Sequence, residues 1–104
     1  MAETDAAADP RRVLGEGEVH TARPPGWEVS AGRLWREVAF GAYRAGVDFA
    51  LRVAELAEAQ DHHPELLLAY RRVRVSYHSH DVGGLTARDL RAAHSVNALL
   101  EEVP

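Results

Sequence analysis

A chain of 104 residues suffices for one domain with one modest core, and its 46% apolar content is that of an ordinary globular protein. A net charge of −4 argues against general nucleic-acid binding, which needs a cationic surface. The absence of cysteine excludes disulfides, thiolate metal ligands and thiol catalysis, and no apolar run nears the ~20 residues that cross a bilayer.

Residues 1–12 are acidic, rich in small residues and without periodicity, and read as a disordered leader ahead of a single domain at 13–104. The leader has no apolar centre of the kind a signal peptide carries, so a cytoplasmic protein that contacts no membrane is expected. Residues 13–23 form a short helix anchored by Leu14 and Val19, ended by Pro24-Pro25-Gly26. Trp27–Ser30 and Arg33–Phe40 then flank Ala31-Gly32 as a hairpin. Leu34, Val38 and Phe40 share one strand face with Arg36 among them, while Trp35 on the other face implies cover on both sides.

Residues 43–60 form an amphipathic helix, its stripe made of Ala42, Ala45, Phe49, Val53 and Leu56. Arg44, Asp48 and Arg52 are spaced for ion pairs on its outer face. Pro64 stops helical geometry after Asp61-His62-His63. Glu65–Tyr70 reads as a buried strand, joined through Arg71-Arg72 to a second strand at Val73–Ser79. Its alternation puts Val73, Val75 and Tyr77 inside, with His78, followed by His80, on the opposite face. Val82-Gly83-Gly84-Leu85 turns the chain. Thr86, with Asp89 three residues on, starts a final helix over 87–101, its apolar side carrying Leu90, Ala93, Val96 or Asn97, and Leu100. The order α-β-β-α-β-β-α predicts an α+β domain: a four-stranded antiparallel sheet with helices on one face.

Four of the six histidines lie between Glu58 and Asp89, as His62-His63 and as His78 and His80. Ordinary surface histidines are the simplest reading, and it suffices for His20 and His94. Acid–base chemistry is the second, since imidazole titrates near neutrality and paired groups can give and take protons in one pocket. A metal site with Asp61, Glu65 or Asp81 ranks third, because adjacent histidines seldom reach one ion. Helix capping accounts for Asp89. Ser76 and Ser79 sit near the histidines, but no strand–turn–helix elbow presents either as a nucleophile.

Glu58, His62-His63-Pro64, Tyr70, His80 and Asp89 are spaced as in the signature of the pterin-4a-carbinolamine dehydratases, and the chain resembles that family from about residue 14 onward. Pro25-Gly26-Trp27 and HDVGGLTARD add to the likeness. The resemblance implies dehydration of a 4a-hydroxytetrahydropterin, with His62, His63 and His80 as the acid–base set. Asp61, Ser79 and Asp81 would line the pterin site, with His78 beside them. It implies no metal and no organic cofactor, the pterin being the substrate, and a homodimer or homotetramer. Leu66 stands where many members carry Trp, and Leu68 where Asn is frequent. Relatives of this fold also resemble dimerisation cofactors of transcription factors and assembly chaperones of the carbon-fixing carboxylase, which makes a non-catalytic interaction module the alternative.

Overall fold

A computed structural model describes residues 9–102 of the chain. Residues 1–8 of the expected leader lie outside this range. The elements run α1 (Glu16–Ala22), β1 (Glu28–Ser30), β2 (Arg33–Ala39), α2 (Tyr43–Gln60), β3 (Glu65–Leu68), β4 (Arg72–Tyr77) and α3 (Ala87–Glu102). All neighbouring strands are antiparallel, and their order across the sheet is β1-β2-β4-β3. The second hairpin therefore docks with β4 inside, Leu34 opposite Tyr77 and Val38 opposite Val73. This is the expected α+β architecture.

Each element follows from its residues. In the first hairpin Ala31 and Gly32 both have positive φ, 53° and 74°, the mirror-image turn that matches strand twist. Alternation on β4 sends Val73, Val75 and Tyr77 into the core, where they meet Phe49 and Val53 of α2 and Ala92, Ala93 and Val96 of α3. Val19 of α1 and Trp27 close one side of the same cluster. Gly46, not Ala42 or Ala45, begins the buried side of α2: a Cβ there would stand 3.3 Å from Val73 Cγ2, so glycine lets the helix approach the sheet.

Two odd residues of β2 have physical explanations. Arg36 points inward but reaches a polar edge, donating to Asn97 Oδ1 at 2.7 Å and to the Pro25 carbonyl at 3.3 Å. Asn97 Oδ1 also accepts from Trp27 Nε1 at 2.8 Å, so α3 is tied to the Pro-Gly-Trp turn. Trp35, on the open sheet face, is covered by side chains instead of an element: the Arg74 guanidinium lies 4.3 Å from its ring centroid, and its Nε1 donates to Ser30 Oγ at 2.9 Å.

The expectation of a buried strand over Glu65–Tyr70 is corrected. β3 ends at Leu68 and all four of its residues are exposed, because it is the sheet's edge and only one neighbour covers it. The reversal to β4 runs through Ala69-Tyr70-Arg71, closed by Ala69 N–H donating to the Arg72 carbonyl at 2.9 Å.

Candidate active site

Three segments build the site: the end of α2, the turn after β4 and the start of α3. At the end of α2, Asp61 takes the left-handed conformation (φ 50°, ψ 43°), and His62 N–H donates back to the Ala57 carbonyl at 3.1 Å. The helix thus closes before Pro64, and the chain reverses between two adjacent histidines. His62 is carried inward, its side chain 11% exposed, while His63 stays out at 56%.

His62 lies parallel to Tyr77, ring centroids 5.6 Å apart, and its Nε2 is 2.7 Å from Asp89 Oδ1. Asp89 is fully buried. Its other oxygen accepts from Ser79 Oγ at 2.7 Å and from the Thr86 backbone N–H at 2.9 Å. The proton order follows from which groups can donate. A carboxylate only accepts, so Ser79 gives its single proton to Asp89. Thr86 Oγ1, 2.9 Å from Ser79 Oγ, then donates to Ser79 while accepting from Arg88 N–H at 3.2 Å. With the carboxylate so engaged, neutral His62 holds its proton on Nε2 and keeps a lone pair on Nδ1. That is the arrangement of an oriented general base.

The capping role expected for Asp89 is present in the Thr86 bond, but capping does not account for the residue by itself. The same carboxylate sets the orientation and tautomer of His62. The signal for this in the sequence is the signature spacing, since nothing in the local helix pattern points 27 residues back. Tyr77, packed beneath the imidazole, has its phenol pushed above the ordinary range by burial and then by the Asp89 charge, so it stays neutral.

The remaining candidates fall into separate contacts. His63 Nε2 is 2.5 Å from Glu58 Oε2, one turn back on α2. His80 Nδ1 is 3.2 Å from His78 Nδ1, just past the end of β4. Asp81 is exposed and bonded to Arg88 at 2.7 Å, which holds its carboxyl below the usual range against its desolvation; the Arg88 and Arg11 charges add to the lowering. Ser79, expected to line the pterin site, is 1% exposed with its hydroxyl committed to Asp89 and Thr86. Its side chain supports the site from behind. Tyr70 is exposed under the Arg71 guanidinium. Among the described residues no group of three or more His, Asp or Glu converges on a point that could hold a metal ion.

Two surface depressions, of about 690 and 430 Å³, are lined by neither His62, His63 nor His80. The larger lies on the open sheet face between Trp35, Arg74 and Leu67. Its lining holds no imidazole, and the candidate site is taken at His62, His63 and His80 on side-chain chemistry.

The family model for pterin 4 alpha carbinolamine dehydratase matches residues 13–99. A Mycolicibacterium smegmatis protein named for that activity is 40% identical over 92 residues, covering 86% of this chain and 98% of its own length. An Acidobacterium capsulatum protein of the same name is 43% identical over 76 residues, 73% of this chain and 83% of its own. Among solved structures, a transcriptional coactivator/pterin dehydratase from Brucella melitensis superposes with a TM-score of 0.78 at 32% identity, over 85% of this chain and 98% of that one. A pterin dehydratase-like protein described as a RuBisCO assembly factor in the alpha-carboxysome shares the fold, with a TM-score of 0.57 at 23% identity over 70% of this chain and 84% of that one.

Proposed function

Because the chain belongs to the pterin 4 alpha carbinolamine dehydratase family, we propose that it dehydrates a 4a-hydroxytetrahydropterin to the quinonoid dihydropterin by histidine acid–base catalysis. In that reaction the C4a–O bond breaks and hydroxide leaves as water with a proton from an acid. The N5 proton passes to a base and the C4a=N5 double bond forms. His62, His63 and His80 divide these proton transfers, worth about 10²–10⁴ in rate. Asp61, His78 and Asp81 border the pterin, and neither a metal nor an organic cofactor takes part.

The observation that carries this reading is the His62–Asp89 pair: an imidazole held by a buried carboxylate whose other oxygen already accepts two hydrogen bonds. The decisive measurement is the decay of the 4a-carbinolamine with and without purified protein. Acceleration is expected, along with its loss in a His63→Ala/His80→Ala double variant that keeps its circular dichroism spectrum. Equal rates with and without protein would sink the proposal. Chelator-treated protein is expected to keep full activity.

An interaction role is the second reading, favoured by the exposed apolar side chains of β3 together with Tyr70, Tyr43 and Leu51. An unpaired edge strand carrying leucines is a template for pairing with another chain, and we assign it to a second copy in a homodimer or homotetramer. A stoichiometric foreign partner in pull-downs, with no pterin turnover, would put this reading first. No helix among the described residues is long and apolar enough to cross a membrane, and the reaction is assigned to the cytoplasm.

A further inference from the structure

We propose that His78 and His80 form a two-point chelating site for a divalent transition-metal ion, with copper(II) bound most tightly and zinc more weakly. The site stands on geometry and does not depend on the dehydratase reading. His78 directly follows β4, and His80 opens the turn that the Ser79–Gly84 bridge closes. Here their Nδ1 atoms are 3.2 Å apart, with the rings edge to face at a centroid distance of 4.7 Å. Two facing Nδ1 lone pairs need something cationic or a proton between them.

An ion about 2.0–2.1 Å from each nitrogen would hold them roughly 2.9 Å apart at a right angle and roughly 3.3 Å apart at the tetrahedral angle. The observed separation lies inside that span, so an ion can take the place of the proton between the two rings, which leaves Nδ1 as the ion binds. The backbone between the two histidines is already fixed. Ser79 N–H donates to the Gly84 carbonyl at 3.0 Å, and the Ser79 hydroxyl is bound to Asp89.

The chemistry sets the ligand class. Two neutral imidazoles suit copper, nickel and zinc and offer nothing to magnesium or calcium, which demand oxygen ligands. Asp81, the nearest acid along the chain, is committed to Arg88 at 2.7 Å and faces Arg11 at 3.8 Å. The remaining coordination positions therefore fall to water, and the ion is exchangeable instead of resident.

The test is a titration of full-length, chelator-treated protein with copper(II) chloride, followed by calorimetry and electron paramagnetic resonance. One tight equivalent with two equatorial imidazole nitrogens is expected. His78→Ala and His80→Ala should each weaken binding at least about tenfold and leave one nitrogen, as expected when a chelate loses one arm. His94→Ala, on the exposed side of α3, should change neither reading. Nuclear magnetic resonance of the unsubstituted protein gives an independent check: substoichiometric copper should broaden the ring signals of His78 and His80 before those of other histidines. A single-nitrogen spectrum, unchanged affinity in the two variants, or earlier broadening elsewhere overturns the proposal.

Discussion

Replacing Asp89 with asparagine tests the site at the level of one atom. Thr86 N–H and the Ser79 hydroxyl need an acceptor, so the amide oxygen stays with them and the NH2 turns toward His62. Nε2 must then accept, and the proton moves to Nδ1, where a base needs its lone pair. Loss of about 10²–10⁴ in kcat with the fold retained is expected, read from pterin turnover beside a thermal melt. Tyr77 makes the opposite test. Its buried hydroxyl has no hydrogen-bond partner among the described residues, so Tyr77→Phe should be neutral or stabilise by about 1 kcal/mol in a denaturant titration. Asp81 supplies the pH dependence. Its carboxyl is held low in the folded state by the Arg88 hydrogen bond, so the pair stabilises the fold above about pH 3.9 and stops doing so as pH falls through the lowered value. Asp81→Asn should therefore differ from the natural chain at pH 7 and converge with it in strong acid.

Among the elements, the first hairpin carries a correctable strain. Ala31 has a side chain where the turn requires φ of 53°, a conformation that Asn or Gly adopts at lower cost. Ala31→Asn should add about 1 kcal/mol and raise Tm by roughly 4–8 °C, measured by calorimetry. The elements themselves were legible in the sequence where one rule acted alone. Periodicity found α2 and α3, Gly-containing turns found the first hairpin, and Pro64 signalled that α2 ends ahead of it. Legibility failed where a second chain segment decided the outcome. β3 reads as buried from its leucines, yet strand order leaves it at the edge. Val96 and Asn97 compete for the inner face of α3 until Trp27 and Arg36 come to meet the amide. Asp89 looks like a cap because capping is local, whereas its bond to His62 spans 27 residues and is visible in the sequence only as a spacing.

At the scale of the whole molecule, the proposed self-association through the edge that β3 leaves open can be tested. Leu67 is 58% exposed, so Leu67→Glu should leave the fold intact and shift the protein toward monomer in analytical ultracentrifugation, since a charge on an edge strand opposes pairing. The His62–Asp89 contact has a consequence for stability as well as for chemistry. It is a clasp between the residue just past the end of one helix and the first turn of another, and the acceptor arrives only when the C-terminal helix is seated. A partial opening that lifts α3 would take this acceptor away from His62 while the sheet still stands. Catalytic loss on warming should track the release of α3 amide protons to exchange, and precede global unfolding. The reaction centre would then act as the molecule's own gauge of whether its final helix is in place.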